Sequence, residues 1–128
     1  MPARDVMPST IKRSPPKARR TWAKTHDNAV REYGEGERAH RTAFAALKHA
    51  FEKRGDRWVP KKRKGPSDPR ARRGAGAARE GRGETFGGVD YYGQTKDALY
   101  ARARKLGVSG RSSMTKKELA RAIARKQS

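Results

Sequence analysis

Between Lys61 and Gln94 the sequence KKRKGPSDPRARRGAGAAREGRGETFGGVDYYGQ carries no helical period, and this interruption constrains the fold more than any other feature. It leaves residues 1–60 and residues 95–128 to build separate, small cores. Hydrophobic residues make up 33% of the chain and charged residues 36%, so neither block has apolar area to spare. The expected fold is mainly α: a helical module over residues 1–60, a disordered Arg/Gly-rich linker over 61–94, and a second helical module over 95–128.

In the first block, Ser14 before Pro15 and Pro16 reads as the N-cap of a helix that runs to Tyr33, because proline costs nothing where no intrahelical donor is needed. Ala18, Trp22, Ala29 and Tyr33 fall on one stripe of that helix, with His26 and Val30 beside it; Arg20, Lys24, Asp27 and Arg31 fall opposite. Gly34 and Gly36 break the pattern. A second period starts near Glu37 and turns Ala39, Ala43, Phe44, Leu47, Ala50 and Phe51 inward, giving an antiparallel helical hairpin. The segment 56–60 is too short for a helix, so Trp58 is expected to fold back over the pair, and Pro8 to Ile11 to add a short turn. In the last block Thr95 caps a helix reaching Leu106, with Leu99, Ala103 and Leu106 on one stripe. An extended connection, Val108 to Met114, leads to Thr115-Lys116-Lys117-Glu118, a capping box that opens a helix with Leu119, Ala122 and Ile123 inward.

Lys and Arg number 33 against 13 Asp and Glu, a formal charge of +20, which makes a polyanion the expected partner. Nucleic acid is the first expectation. The candidate phosphate ligands are the run Lys61, Lys62, Arg63 and Lys64, together with Arg104, Arg111, Lys116, Lys117 and Arg121. Lys116 and Lys117 stand in the first turn of a helix, where free amides and the dipole already favour an anion. Trp22 and Trp58 are assigned to the core, whereas Phe86, Tyr91 and Tyr92 lie in the basic linker and are candidates for stacking on bases.

The absence of cysteine excludes disulfides, thiolate zinc sites and thiol nucleophiles. The longest apolar runs, such as Ala43 to Leu47, fall far short of the ~20 residues of a membrane span, and no signal-peptide pattern opens the chain. A cytoplasmic protein is expected, with association with the nucleoid left open. Asp56, Glu35 and Glu37 have no nucleophile or second base near them in the pattern, and Gly81-Arg82-Gly83 lacks the Lys-Ser/Thr of a phosphate loop, so no enzyme and no cofactor are expected. A metal is not expected either: His40 and His49 point to different sides of one helix, and His26 lies on another.

Trp22, Asn28, Ala29 and Tyr33, then Gly36-Glu37-Arg38-Ala39-His40-Arg41, Ala43-Phe44-Ala45-Ala46-Leu47-Lys48, Phe51-Glu52-Lys53 and Trp58 resemble the ChaB family over residues 8–60. These are small bacterial and viral proteins grouped under the name of a cation transport regulator. The chain departs from the pattern at Phe44, where the family often has Trp, and at Met7-Pro8 in place of Leu-Pro. The resemblance implies a mostly helical fold with short strand pairing and no catalytic motif. It also opens a different class of function, an adaptor whose residues 1–60 bind a partner protein such as a cation/proton antiporter. The last block, through Lys96, Leu99, Tyr100, Ala103, Lys105-Leu106-Gly107-Val108, Gly110 to Met114, Lys116 to Leu119 and Ile123, resembles the N-terminal module of transcription termination factor Rho and related SAP-type modules. That likeness implies association with nucleic acid, DNA before RNA, since SAP-type modules mostly serve chromatin.

Overall fold

A computed structural model describes residues 3–81 and 83–127 and is mainly helical. Two one-turn helices, α1 (Ala3–Val6) and α2 (Ser9–Lys12), precede a long hairpin of α3 (Pro16–Tyr33) and α4 (Glu37–Ala50). The strands β1 (Phe51–Arg54) and β2 (Arg57–Pro60) follow, then the short helices α5 (Pro69–Arg72) and α6 (Ala75–Glu80). The chain ends with α7 (Lys96–Lys105), a 3-10 turn at Arg111–Ser113, and α8 (Lys116–Gln127).

The stripes of α3 and α4 meet as their spacing requires, burying Ala18 and Trp22 against Ala43 and Leu47. Ile11 from α2 and Phe51 and Trp58 from the strands close this first core. Phe51 is the first residue of β1, not the last of α4, and it pairs with Pro60 in an antiparallel ladder that sets Trp58 opposite Lys53. Ser14 does not cap α3; Pro15 holds that position. The Ser14 hydroxyl instead donates to Thr10 O at 2.7 Å and accepts the Trp58 N–H at 2.8 Å, tying α2 to β2 in a buried setting.

The second core corrects the expectation of a disordered linker. Phe86 and Val89 are fully buried with Leu99, Ala103, Leu119 and Ile123. The physical reason is volume: α7 and α8 alone supply few large apolar side chains, and these two complete the core. Upstream, Asp68 caps α5 by accepting the Ala71 N–H at 2.9 Å, and α6 packs on α4. Both predicted caps in the last block form. Thr95 Oγ1 accepts the Ala98 N–H at 3.1 Å, and Thr115 and Glu118 exchange bonds of 3.0 and 3.2 Å. The connection between α7 and α8 is not extended throughout, since it holds the 3-10 turn.

The two cores share a seam along β1. Lys53 N–H donates to Gly88 O at 2.9 Å, Arg102 donates to Lys53 O at 3.1 Å, and Gln94 donates to Glu52 Oε2 at 2.6 Å. Gly88 has φ +90° and lies so close to Trp58 that a Cβ there would come within 2.5 Å of the indole.

Candidate nucleic-acid interface

A groove of about 1120 Å³ opens beside the seam. It is lined by Glu52, Arg54, Val59 and Pro60 of the β1–β2 strand pair, by residues 61–66, and by Arg72, Asp90, residues 92–95 and Ala98. Lys62, Arg63 and Lys64 are exposed here and have no ion pair among the described residues. Tyr92 is 36% exposed, and the Arg72 guanidinium sits 5.0 Å from its ring centroid. Cations beside an accessible aromatic face suit a polyanion with stackable bases. Of the three aromatic candidates, Phe86 is in the core and Tyr91 packs on it at 5.0 Å, so Tyr92 alone is presented.

Lys61 belongs to a different environment and is not available to a phosphate. Its side chain is 2% exposed; Nζ donates to Lys48 O, Gly65 O and Ser67 Oγ at 3.0, 2.7 and 3.0 Å and pairs with Asp90 at 3.4 Å. An ammonium so fully satisfied is a fastener for the groove lining. Below it Lys48 meets the buried Asp68 at 3.7 Å. Burial pushes the Lys48 ammonium below the usual lysine range, and the Asp68 charge opposes that shift.

The candidates in the last block divide in the same way. Arg121 forms a two-point pair with Glu84 at 2.6 and 3.0 Å, which neutralises it and holds the Glu84 carboxyl below its ordinary range. Arg111 donates to Val108 O at 3.1 Å with its guanidinium 5.6 Å from the Tyr100 ring, and Lys116 Nζ rests 4.7 Å from the Tyr91 ring. Lys117 and Arg104 remain exposed. The first turn of α8 is already served by its own carboxylate: Glu118 accepts the Thr115 N–H, a bond that depresses its pKa. An added phosphate there would meet that negative charge. Arg54 and Arg72, absent from the sequence candidates, reach the groove only because the hairpin and α5 turn them toward it, and no spacing along the chain signals this.

Residues 7–61 match the ChaB family model. Over these residues, fewer than half of the chain, the sequence is similar to that family. No curated protein and no solved structure matches the chain. The ChaB segment ends at Lys61, so it supplies the strand-pair lining of the groove, while the exposed run 62–64, Arg72 and Tyr92 lie beyond it. Inside the ChaB segment the structure also corrects the expectation that its histidines stay apart. Antiparallel packing of α3 and α4 brings the His26 and His40 rings to 5.2 Å between centroids, next to Glu35 of the turn. His49 is exposed elsewhere on α4.

Proposed function

We propose that the chain is a non-enzymatic nucleic-acid-binding protein that holds the phosphate backbone, DNA in preference to RNA, with little sequence specificity. The observation that carries this reading is the groove in which Lys62, Arg63 and Lys64 stand beside Tyr92 and Arg72. Such a surface positions phosphates and accepts any base face, and a charge of +20 adds long-range attraction. The preference for DNA rests on the resemblance of residues 95–127 to SAP-type modules. The non-enzymatic reading is supported by two of the three carboxylates weighed for acid–base work, Asp56 and Glu37, which are held by arginines. Asp56 pairs with Arg13 and Arg57 at 3.3 and 3.6 Å, and Glu37 pairs with Arg41 at 3.1 Å.

The test is a titration of duplex DNA, single-stranded DNA and RNA at several salt concentrations. Neutralising ~6 phosphates gives a slope of log K against log salt of about −5. Replacing Lys62, Arg63 and Lys64 by Gln should weaken binding on every sequence and flatten the slope by up to about 3 units. Unchanged binding by the triple variant, or a flat salt response in the parent, overturns the reading. The family match supports a second reading, an adaptor that binds a partner protein through the ChaB segment and regulates cation transport. Among the described residues no helix is long and apolar enough to cross a membrane, so on this reading the chain acts on a transporter as a separate protein. Retention of an antiporter by the ChaB segment, with no nucleic-acid affinity at low salt, would favour it.

A further inference from the structure

His26 sits at the centre of the helical hairpin with none of its side chain exposed. Its ring stacks on Trp22 at 4.8 Å between centroids and 12° between planes, so it is held in one orientation. Nδ1 lies 3.3 Å from Asp27 Oδ1, and that oxygen also accepts the Ala3 N–H at 3.1 Å. In the tautomer that donates Nδ1–H to this carboxylate, the lone pair is on Nε2. Nε2 is buried without a hydrogen-bond partner, and the nearest charge to it is Glu35 Oε1 at 3.5 Å. A buried nitrogen in this state is costly unless something accepts its lone pair. His40 stands edge-on to His26 at 85°, and one ligand atom from each of His26, His40 and Glu35 lies within 4.8 Å of the others.

We infer that His26, Glu35 and His40 bind a divalent transition-metal ion of the zinc type, clamping α3 to α4. Two imidazoles and a carboxylate are the donors such an ion selects, whereas magnesium and calcium take all-oxygen sets. The Asp27–His26 contact is the outer-shell carboxylate that ligating histidines commonly carry, fixing tautomer and ring orientation. Tetrahedral zinc bonds of about 2.0–2.2 Å require ligand atoms roughly 3.4 Å apart, so ligand atoms as much as 4.8 Å apart must draw in by up to about 1.4 Å. Glu35 stands on the α3–α4 turn between Gly34 and Gly36, where the backbone can shift to carry it inward. Three protein ligands leave a fourth position for water. The reading is independent of nucleic-acid binding and uses residues outside the groove.

The experiment is zinc titration of the full chain after chelator treatment, followed by calorimetry and by NMR of the histidine ring protons. Binding of one ion should shift the His26 and His40 resonances, leave His49 in place, and raise the melting temperature. Glu35→Gln and His40→Gln should each weaken zinc at least tenfold, and Asp27→Asn by on the order of 10–100-fold, the usual cost of an outer-shell partner. All should melt like the parent in chelator, and His49→Gln should bind as the parent does. The ring-proton spectrum needs no variant, so a variant that fails to fold does not remove the test. Zinc that moves His49 and not His26, or that binds Glu35→Gln and His40→Gln as tightly as the parent, overturns the proposal.

Discussion

The ChaB segment and the chain that follows it make their cores from different materials. In the first, Trp22 and Leu47 stand at helical spacing on two consecutive helices, and Ile11, Phe51 and Trp58 close over them from the elements directly before and after the hairpin. In the second, Leu99, Leu119 and Ile123 come from periodic helices, but Phe86 and Val89 come from a Gly/Arg-rich stretch with no period. A core of consecutive elements is fixed by short connections. One completed by an irregular segment depends on how that segment is held, and here it is held by β1 of the first unit through Lys53 and Gly88.

The comparison is broken most severely by removing the largest side chain of each core. Trp22→Ala should cost about 3–5 kcal/mol, most of the stability a module this small possesses, and unfold the α3–α4 hairpin. Phe86→Ala should cost about 3 kcal/mol and loosen α7 and α8 while the hairpin keeps its amide protection. Thermal unfolding followed by hydrogen exchange separates the two. Equal loss of protection in both units from Phe86→Ala would show one cooperative core. The same logic predicts that residues 84–128 hold more helix than residues 95–128 alone, measured by circular dichroism.

What was legible follows from this contrast. The long hairpin, the Thr95 cap and the Thr115–Glu118 box are local, and their residue types at fixed offsets sufficed to place them. Ser14 misled because a hydroxyl before two prolines has the form of a cap, whereas its partner is Trp58, distant in sequence. The exposed run 62–64 was visible as charge. Yet the burial of Lys61 depends on Asp90, and the neutralisation of Arg121 depends on Glu84, contacts that only the folded chain creates. The approach of His26 to His40 was hidden for the same reason, since helical phase describes one helix at a time.

A smaller perturbation probes the seam. Gly88→Ala forces a side chain into Trp58 and Lys53 at a φ of +90°, so about 2 kcal/mol of destabilisation is expected. Both cores contribute to that contact. The variant should therefore lower protection in β1 and in the 86–89 segment together, without the hairpin collapse expected of Trp22→Ala. Loss confined to one side would mean that the two units fold independently of their contact.

The smallest expected effect separates the units by pH. Glu84 is held below its ordinary value of 4.5 by Arg121, and Glu118 by the Thr115 amide. Their folded forms bind protons less readily than their unfolded forms, so their contribution is complete above about pH 4.5 and lost as pH falls through the depressed values. Lys48, in the first unit, is depressed from 10.5 by burial, so the folded state again releases its proton first. Stability therefore also rises with pH between the lowered Lys48 value and 10.5, a window on the alkaline side. The acid limb belongs to α8 and the alkaline limb to α4. Glu118 is exposed and Glu84 is open to solvent over about a third of its side chain (35%), which keeps the acid effect small and sensitive to salt. Glu118→Gln preserves the box without the charge, and combined with Glu84→Gln it should flatten the fall in melting temperature between pH 5 and pH 3 while leaving the alkaline rise intact. A double variant that still loses stability on acidification as the parent does would show that Glu84 and Glu118 do not carry the acid limb.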